Sequence, residues 1–409
     1  MRLKISKNGI MTLLLAIFMF LTFIPIFSNE ISCVVMLIII VTGLLFYRCE
    51  VINELIGLAF FILMVIVYYF MGKGLNFNSH GIIYYILSLL STFFSFTMLQ
   101  KLDKRHIKFL IVWLVLFMLY ANISTIYVSI ADPMAVRRFG YSSLEGEEFL
   151  RNMRQHGFVM YNYGVGEAMA IVSPCLLSYA LKNEDKLITC LCHASVILCI
   201  FSQMMAALSA SLLLTLVFCG FTIIAFLKTV QMSKKIKILL YFILILVIAL
   251  PFLGDAFLNN SLLSNRFDSL KSVFSNETTN GDTAVRIELL LRSVKEWLAN
   301  PILGLAGVGN VGIESGVSMH TALFDYLGLY GLFALLLFGS WISTIKKQIK
   351  SLSLEKRRYF KWSAVSLVLL LILKGPVTIT TNYYFSILLG GLLITGEKYK
   401  DCSDEASFK

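Results

Sequence analysis

Apolar runs of membrane-crossing length alternate with short charged turns along most of the chain, and two long polar stretches interrupt them. The runs lie at about 10–27, 31–47, 51–71, 82–99, 107–128, 162–181, 187–204, 206–227, 238–258, 321–345, 362–380 and 383–396. A hydrocarbon core of about 30 Å needs roughly 20 helical residues, so the pattern predicts about twelve transmembrane helices. No charge marks the boundary between the seventh and eighth. The long polar stretches are 129–161 and 259–320. In the first, Ser142 and Glu145 form a capping box for a surface helix in SSLEGEEFLRNMRQHG, with Gly157 as its stop. In the second, Asp282 or Thr283 N-caps a helix whose apolar residues Ile287, Leu290, Leu291, Val294 and Leu298 recur at helical spacing. Asn300-Pro301 closes it. Its polar face holds Glu288, Arg292, Lys295 and Glu296, and Arg286 sits at the edge of the apolar stripe near Trp297.

Composition removes the soluble alternatives. Only 14% of the 409 residues are charged and 58% are hydrophobic, whereas a soluble domain is about 25% charged. The chain therefore reads as one all-α polytopic membrane domain, 1–409. Arg2, Lys4 and Lys7 precede the first span, but no small-x-small cleavage site follows, so the span is expected to stay. With the N-terminus in the cytoplasm, 24 of the 35 lysines and arginines fall in inside segments. The positive-inside rule favours that orientation, with both termini cytoplasmic and both long loops extracytoplasmic. Most of the +11 net charge is then a topology signal, and no nucleic-acid partner is needed. The eight cysteines fall in spans, at their edges or in inside segments, so no extracytoplasmic disulfide framework is expected. Cys190, Cys192 and His193 share one apolar helix without a fourth ligand and read as packing residues; no metal or cofactor is expected there.

Charge identity narrows the chemistry. Seven of the eleven outside cations are arginine, Arg137, Arg138, Arg151, Arg154, Arg266, Arg286 and Arg292, against five of the inside set. Topology does not select arginine over lysine, whereas a phosphate does, because guanidinium offers it paired N–H donors. Arg292 has carboxylates at i−4 and i+4 and reads as part of an ion-pair ladder. Arg286 has only Asp282 within helical reach. Five glycines follow the helix, Gly304, Gly307, Gly309, Gly312 and Gly316, with no Lys-Ser or Lys-Thr behind them, which excludes a P-loop. His320 is expected in the first turn of the next helix, where the positive dipole end keeps the ring neutral and able to accept a proton. Its spacing fits an interfacial histidine equally well. Charges within spans are few, Glu167 and Lys374 lying near predicted ends.

The run from Arg286 to Gly331, an arginine-led helix, Asn-Pro-x-x-Gly, a glycine-rich turn, then His320 opening an apolar helix that ends in Leu-Gly-Leu-Tyr-Gly, resembles the O-antigen polymerase and ligase superfamily. The likeness is greatest to capsule or O-antigen repeat-unit polymerases of the Wzy type, and twelve or so spans with a dominant late outside loop agree with it. The resemblance implies a plasma-membrane glycosyltransferase of GT-C-like architecture that joins undecaprenyl-pyrophosphate-linked oligosaccharides on the outer leaflet. It implies catalytic roles for Arg286 and His320, substrate contacts from Arg137, Arg138, Arg151, Arg154 and Arg266, no cofactor, and a flippase and a chain-length regulator as partners beside membrane lipid. One departure stands out: where the family often has Ser-Arg, this chain has Ser202-Gln203 and no arginine nearby. The outside segments contain no Asp-x-Asp of the kind that holds a metal in other lipid-sugar transferases. A lipid-linked oligosaccharide flippase or other transporter, a ligase with the same chemistry and another acceptor, and a membrane scaffold remain open on the residues alone.

Overall fold

A computed structural model describes residues 7–23, 29–47, 53–71, 79–131, 163–181, 185–206, 208–229, 282–305, 321–373 and 383–407. These are helical throughout, with no strand among the described residues. In chain order they form α1 (Lys7–Phe23), α2 (Asn29–Tyr47), α3 (Asn53–Phe70), α4 (Ser79–Leu99), α5 (Lys104–Ala131), α6 (Tyr163–Ala180), α7 (Lys186–Met205), α8 (Ser209–Leu227), α9 (Asp282–Ala299), α10 (Ala322–Tyr330), α11 (Ala334–Lys350), α12 (Leu354–Leu373) and α13 (Gly390–Ser407). A 3-10 turn, Gly331–Phe333, joins α10 to α11, and a π-turn, Tyr384–Leu389, leads into α13. A helix occupies each apolar run that lies within the described residues; the run at 238–258 lies outside them. The unmarked seventh/eighth boundary is a break at residues 206–208. Among the described residues, five helical segments are long and apolar enough to cross a membrane: 82–99, 104–130, 186–205, 210–227 and the 322–350 run.

The chain divides into two compact units. The first comprises residues 1–117, 285–353 and 367–409. Lipid tails are as apolar as leucine, so helices there associate through close packing and interhelical hydrogen bonds rather than by leaving water. Small residues make the approaches. A Cβ at Gly43 would lie 2.8 Å from the Phe94 ring, one at Gly57 2.5 Å from Ser340 Oγ, and one at Gly391 2.7 Å from the Phe96 ring. Polar side chains lock the neighbours. Trp341 Nε1 donates to Ser386 Oγ at 2.6 Å, and Gln348 Nε2 donates to the Ile387 carbonyl in the π-turn at 3.2 Å. At one end of α3 the buried Glu54 accepts from Ser343 Oγ and pairs with Lys347. At the other end the Tyr68 hydroxyl donates to the Leu303 carbonyl at 3.2 Å. The basic last turn of α11 and the turn that follows α9 therefore lie at opposite ends of α3.

The second unit comprises residues 118–284 and 354–366. Its α6 carries Pro174, which has no N–H to give the carbonyl four residues back, at Ala170. Ser366 Oγ of α12 fills the vacancy, donating to the Ala170 carbonyl at 2.9 Å. Asn122 ties α5 to α7 twice, donating to the Ser195 carbonyl at 3.3 Å and accepting from Ser202 Oγ at 2.7 Å. Ser173 Oγ bonds Cys199 Sγ at 3.3 Å across α6 and α7.

The Pro174 repair sets a test. Ser366→Ala strands a buried carbonyl and is expected to lower unfolding stability in detergent by about 1 kcal/mol. An unchanged unfolding midpoint would mean that the Ala170 carbonyl is satisfied some other way.

Candidate functional site

The segment singled out by its arginine, glycines and histidine is built around a carboxylate that the charge pattern does not pick out. Asp325 lies inside the apolar run 321–345, one turn into α10, and is wholly buried. Its Oδ2 accepts the backbone N–H of Thr321 at 2.7 Å, while the Asp325 N–H bonds back to the Thr321 carbonyl at 2.8 Å. The second bond is the first backbone bond of the helix, so only the carboxylate half of a capping box is present, displaced one residue from the usual Glu/Gln position. The other oxygen, Oδ1, accepts from Ser293 Oγ of α9 at 2.5 Å. Ser293 is also wholly buried, so one carboxylate ties the middle of α9 to the first backbone amide after His320.

Two glycines close the other end of the segment. Gly304 and Gly331 both adopt positive φ, 66° and 57°, the conformation that a Cβ penalises. Space forbids a side chain as well. A Cβ on Gly331 would lie 2.2 Å from the Ile302 carbonyl oxygen, and one on Gly304 2.6 Å from the Leu329 carbonyl. Backbone thus lies directly on backbone. The helix break at Gly331 frees the Leu332 N–H, which the carbonyls of Pro301 and Ile302 accept at 3.0 and 3.1 Å. Aromatic rings surround the clamp: Tyr68 stacks on Tyr330 with centroids 5.8 Å apart, and the hydroxyls of Tyr85 and Tyr326 are 2.8 Å apart. The Asn-Pro-x-x-Gly and Leu-Gly-Leu-Tyr-Gly elements of the motif are therefore two halves of one backbone contact.

The expectations for this segment are met in part. Helix α9 runs from Asp282 and stops at Ala299, with Asn300-Pro301 behind it. Its exposed face carries Glu288, Arg292 and Lys295. Position 286 is helical and lies two turns, roughly 10 Å along the axis, before Ser293 on the same register; its side chain is outside the described residues. So are His320, Arg137, Arg138, Arg151, Arg154 and Arg266, the surface helix expected near 142–157, and the glycines at 307, 309, 312 and 316. Helix α10 begins at Ala322 with Thr321 as its extended N-cap, φ −134° and ψ 108°. The helix start expected at His320 is therefore corrected to Ala322, where Asp325 reaches back to Thr321; His320 itself lies outside the described residues. Ile287, Leu291 and Leu298 are exposed, and the face that packs inward is that of Ser293.

Gln203, standing where the resemblance leads to an arginine, is wholly buried and donates through Nε2 to the Gly166 carbonyl of α6 at 3.0 Å. It is an interhelical brace. Ser202, beside it, bonds Asn122. Neither presents a donor toward solvent. Cys190 is exposed and Cys192 buried, so the two thiols point to different surroundings.

Sequence reasoning missed Asp325 and Ser293. The available signal was a carboxylate four residues after a threonine at the start of an apolar run. Substitutions separate the roles. Gly331→Ala and Gly304→Ala are expected to lower the yield of folded protein severely, while Gly339→Ala, with nothing within 4 Å of the added Cβ, should leave it near native. Asp325→Ala takes the carboxylate acceptor from the Thr321 amide and breaks the link to Ser293 Oγ, which keeps a long bond to the Leu289 carbonyl, and should cost about 1–3 kcal/mol. Asp325→Asn can accept from one and donate to the other, so it should lose less. Equal loss from Asn and Ala, read by detergent unfolding, would contradict the two-sided joint.

No protein-family model matches the chain, and no curated protein sequence matches it significantly.

Proposed function

We propose that the chain is a plasma-membrane glycosyltransferase that polymerises undecaprenyl-pyrophosphate-linked oligosaccharide repeat units at the outer leaflet. In this reading about twelve spans of a GT-C-like fold carry the two loops 129–161 and 259–320 on the extracytoplasmic side. The observation that supports it most is the Ser293–Asp325–Thr321 joint. The joint ties the helix bearing Arg286 to Thr321, the residue that follows His320 in sequence, which supports reading the two motif positions as parts of one site.

The chemistry follows from the residue types. The acceptor hydroxyl of one unit attacks the anomeric carbon of another, the bond from that carbon to the pyrophosphate oxygen breaks, and undecaprenyl pyrophosphate leaves with the bonding pair. The hydroxyl proton passes to His320. Arg286 stabilises the charge that develops on the departing pyrophosphate. Arg137, Arg138, Arg151, Arg154 and Arg266 hold the phosphates and acidic groups of the substrates. Gln203, being an internal brace, leaves that second phosphate contact to the earlier loop.

A lipid-linked oligosaccharide flippase is the second reading, favoured by one observation: the span 322–350 is broken at Gly331, and discontinuous helices line transport sites in many carriers. Here the Leu332 N–H of the break is taken by Pro301 and Ile302, and the carboxylate nearby by Ser293 and Thr321. These groups are committed to the fold, which favours the enzyme.

Variants expressed in a strain lacking the native chain test the reading by the length of polysaccharide made. Arg286→Lys keeps the charge and loses the paired donors, so polymer should fall to a small fraction, while Arg292→Lys should be nearly silent. His320→Ala should accumulate normally and stop at one repeat, because removing a positioned base costs about 10² to 10⁴ in rate. Near-native polymer from His320→Gln would leave that residue an orienting role only; near-native polymer from His320→Ala would remove it from the site. For the topology, an impermeant thiol reagent should label Ser275→Cys in intact cells and spare Ser351→Cys. The reverse pattern would overturn the placement of the site.

A further inference from the structure

Helix α9 has three faces. One packs inward through the wholly buried Ser293, with Trp297 half-buried one turn on. A second carries Glu288, Arg292, Lys295 and Glu296. The third, at the angle between them, carries Ile287, Leu291 and Leu298, whose exposures are 54%, 51% and 65%. A helix bathed in water on both free sides has no use for an aliphatic face as exposed as its charged one. We propose that this face is an interfacial membrane contact: α9 lies along the bilayer surface, with Ile287, Leu291 and Leu298 inserted at the boundary between acyl chains and head groups.

Depth and continuity point to lipid. Just beyond α9 the stripe continues into the exposed Ile302 and Leu303. The Leu303 carbonyl is held by Tyr68, next to Val67, Phe70 and Met71, the exposed apolar residues at the end of α3. The Ile302 carbonyl accepts the N–H of Leu332, itself exposed on the membrane-length segment 322–350. The exposed apolar residues of α9 are therefore followed, through Ile302 and Leu303, by exposed apolar residues at the end of α3 and on the 322–350 segment, the surface that lipid covers. An amphipathic helix in this position buries its apolar side about 5–10 Å deep, with its charges among the head groups. A second copy of the chain fits less well, since three aliphatic side chains on one helix make a strip far smaller than the roughly 800 Å² per partner of a stable dimer. The inference stands whatever reaction the chain performs.

The test uses the full chain with Cys33, Cys49, Cys190 and Cys402 replaced by serine, the other four cysteines being buried. Single cysteines at 287, 291 and 298, and at 288, 292 and 296, carry an environment-sensitive fluorophore in phosphatidylcholine–phosphatidylglycerol vesicles. Labels at 287, 291 and 298 should emit bluer and more brightly, be quenched by lipids brominated near the head-group end of the chain, and resist iodide. Labels at 288, 292 and 296 should show the opposite. Since all six positions face outward or lie at the edge, each tolerates a label, and any one stripe position reads the result independently. Equal iodide quenching on both faces would overturn the proposal, as would a stripe that neither quencher reaches, the signature of a covering protein.

Discussion

The contact on which the candidate site depends is the buried Asp325 carboxylate. Burying an ionised carboxylate is costly unless its oxygens are met by donors, and here each oxygen has one: Ser293 Oγ at 2.5 Å and the Thr321 amide at 2.7 Å. Because those donors come from separate elements, the need to satisfy the carboxylate sets where α10 begins and which face of α9 turns inward. The glycine clamp then fixes the opposite end of the same segment, where Gly304 and Gly331 let one backbone lie on another. Two unrelated constraints, one polar and one steric, join α9 and the turn after it to α10.

The same logic recurs elsewhere in the molecule. In an apolar surround an unpaired backbone group is expensive, so each irregular turn recruits a partner from a neighbouring helix. Ser366 reaches the carbonyl that Pro174 leaves open, Gln348 reaches Ile387 in the π-turn, and Pro301 with Ile302 takes the N–H released at Gly331. Glycines at positions 43, 57 and 391 serve the complementary need of letting helices approach. Irregularity, small residues and interhelical hydrogen bonds together supply the specificity that hydrophobic burial cannot give between helices in lipid.

Much of this was legible in the residues. Apolar run length located the helices, and Asn300-Pro301 located the end of α9, because both signals act over a few neighbouring residues. The start of α10 lies at Ala322, later than expected, and the inward face of α9 was not legible, because both depend on Asp325, which reaches back to Thr321 and meets Ser293 across 32 positions of sequence. Periodicity marks the aliphatic stripe of α9 without saying which face packs inward. Gln203 was visible as a departure from a pattern, but its role as a brace to Gly166 required the α6–α7 packing to be known.

The proposed function joins this scaffold to the arginines of two loops read as extracytoplasmic and to His320, the residue before Thr321 in sequence. Its central claim is that the chain forms glycosidic bonds between lipid-linked units instead of moving them across the membrane. The direct measurement reconstitutes the purified chain in vesicles with a single undecaprenyl-pyrophosphate-linked oligosaccharide and follows both the sugar and the lipid. The account predicts oligosaccharide chains longer than one repeat, with one undecaprenyl pyrophosphate released per bond formed. Substrate that crosses the bilayer at its original length, with no lipid pyrophosphate released, would contradict it.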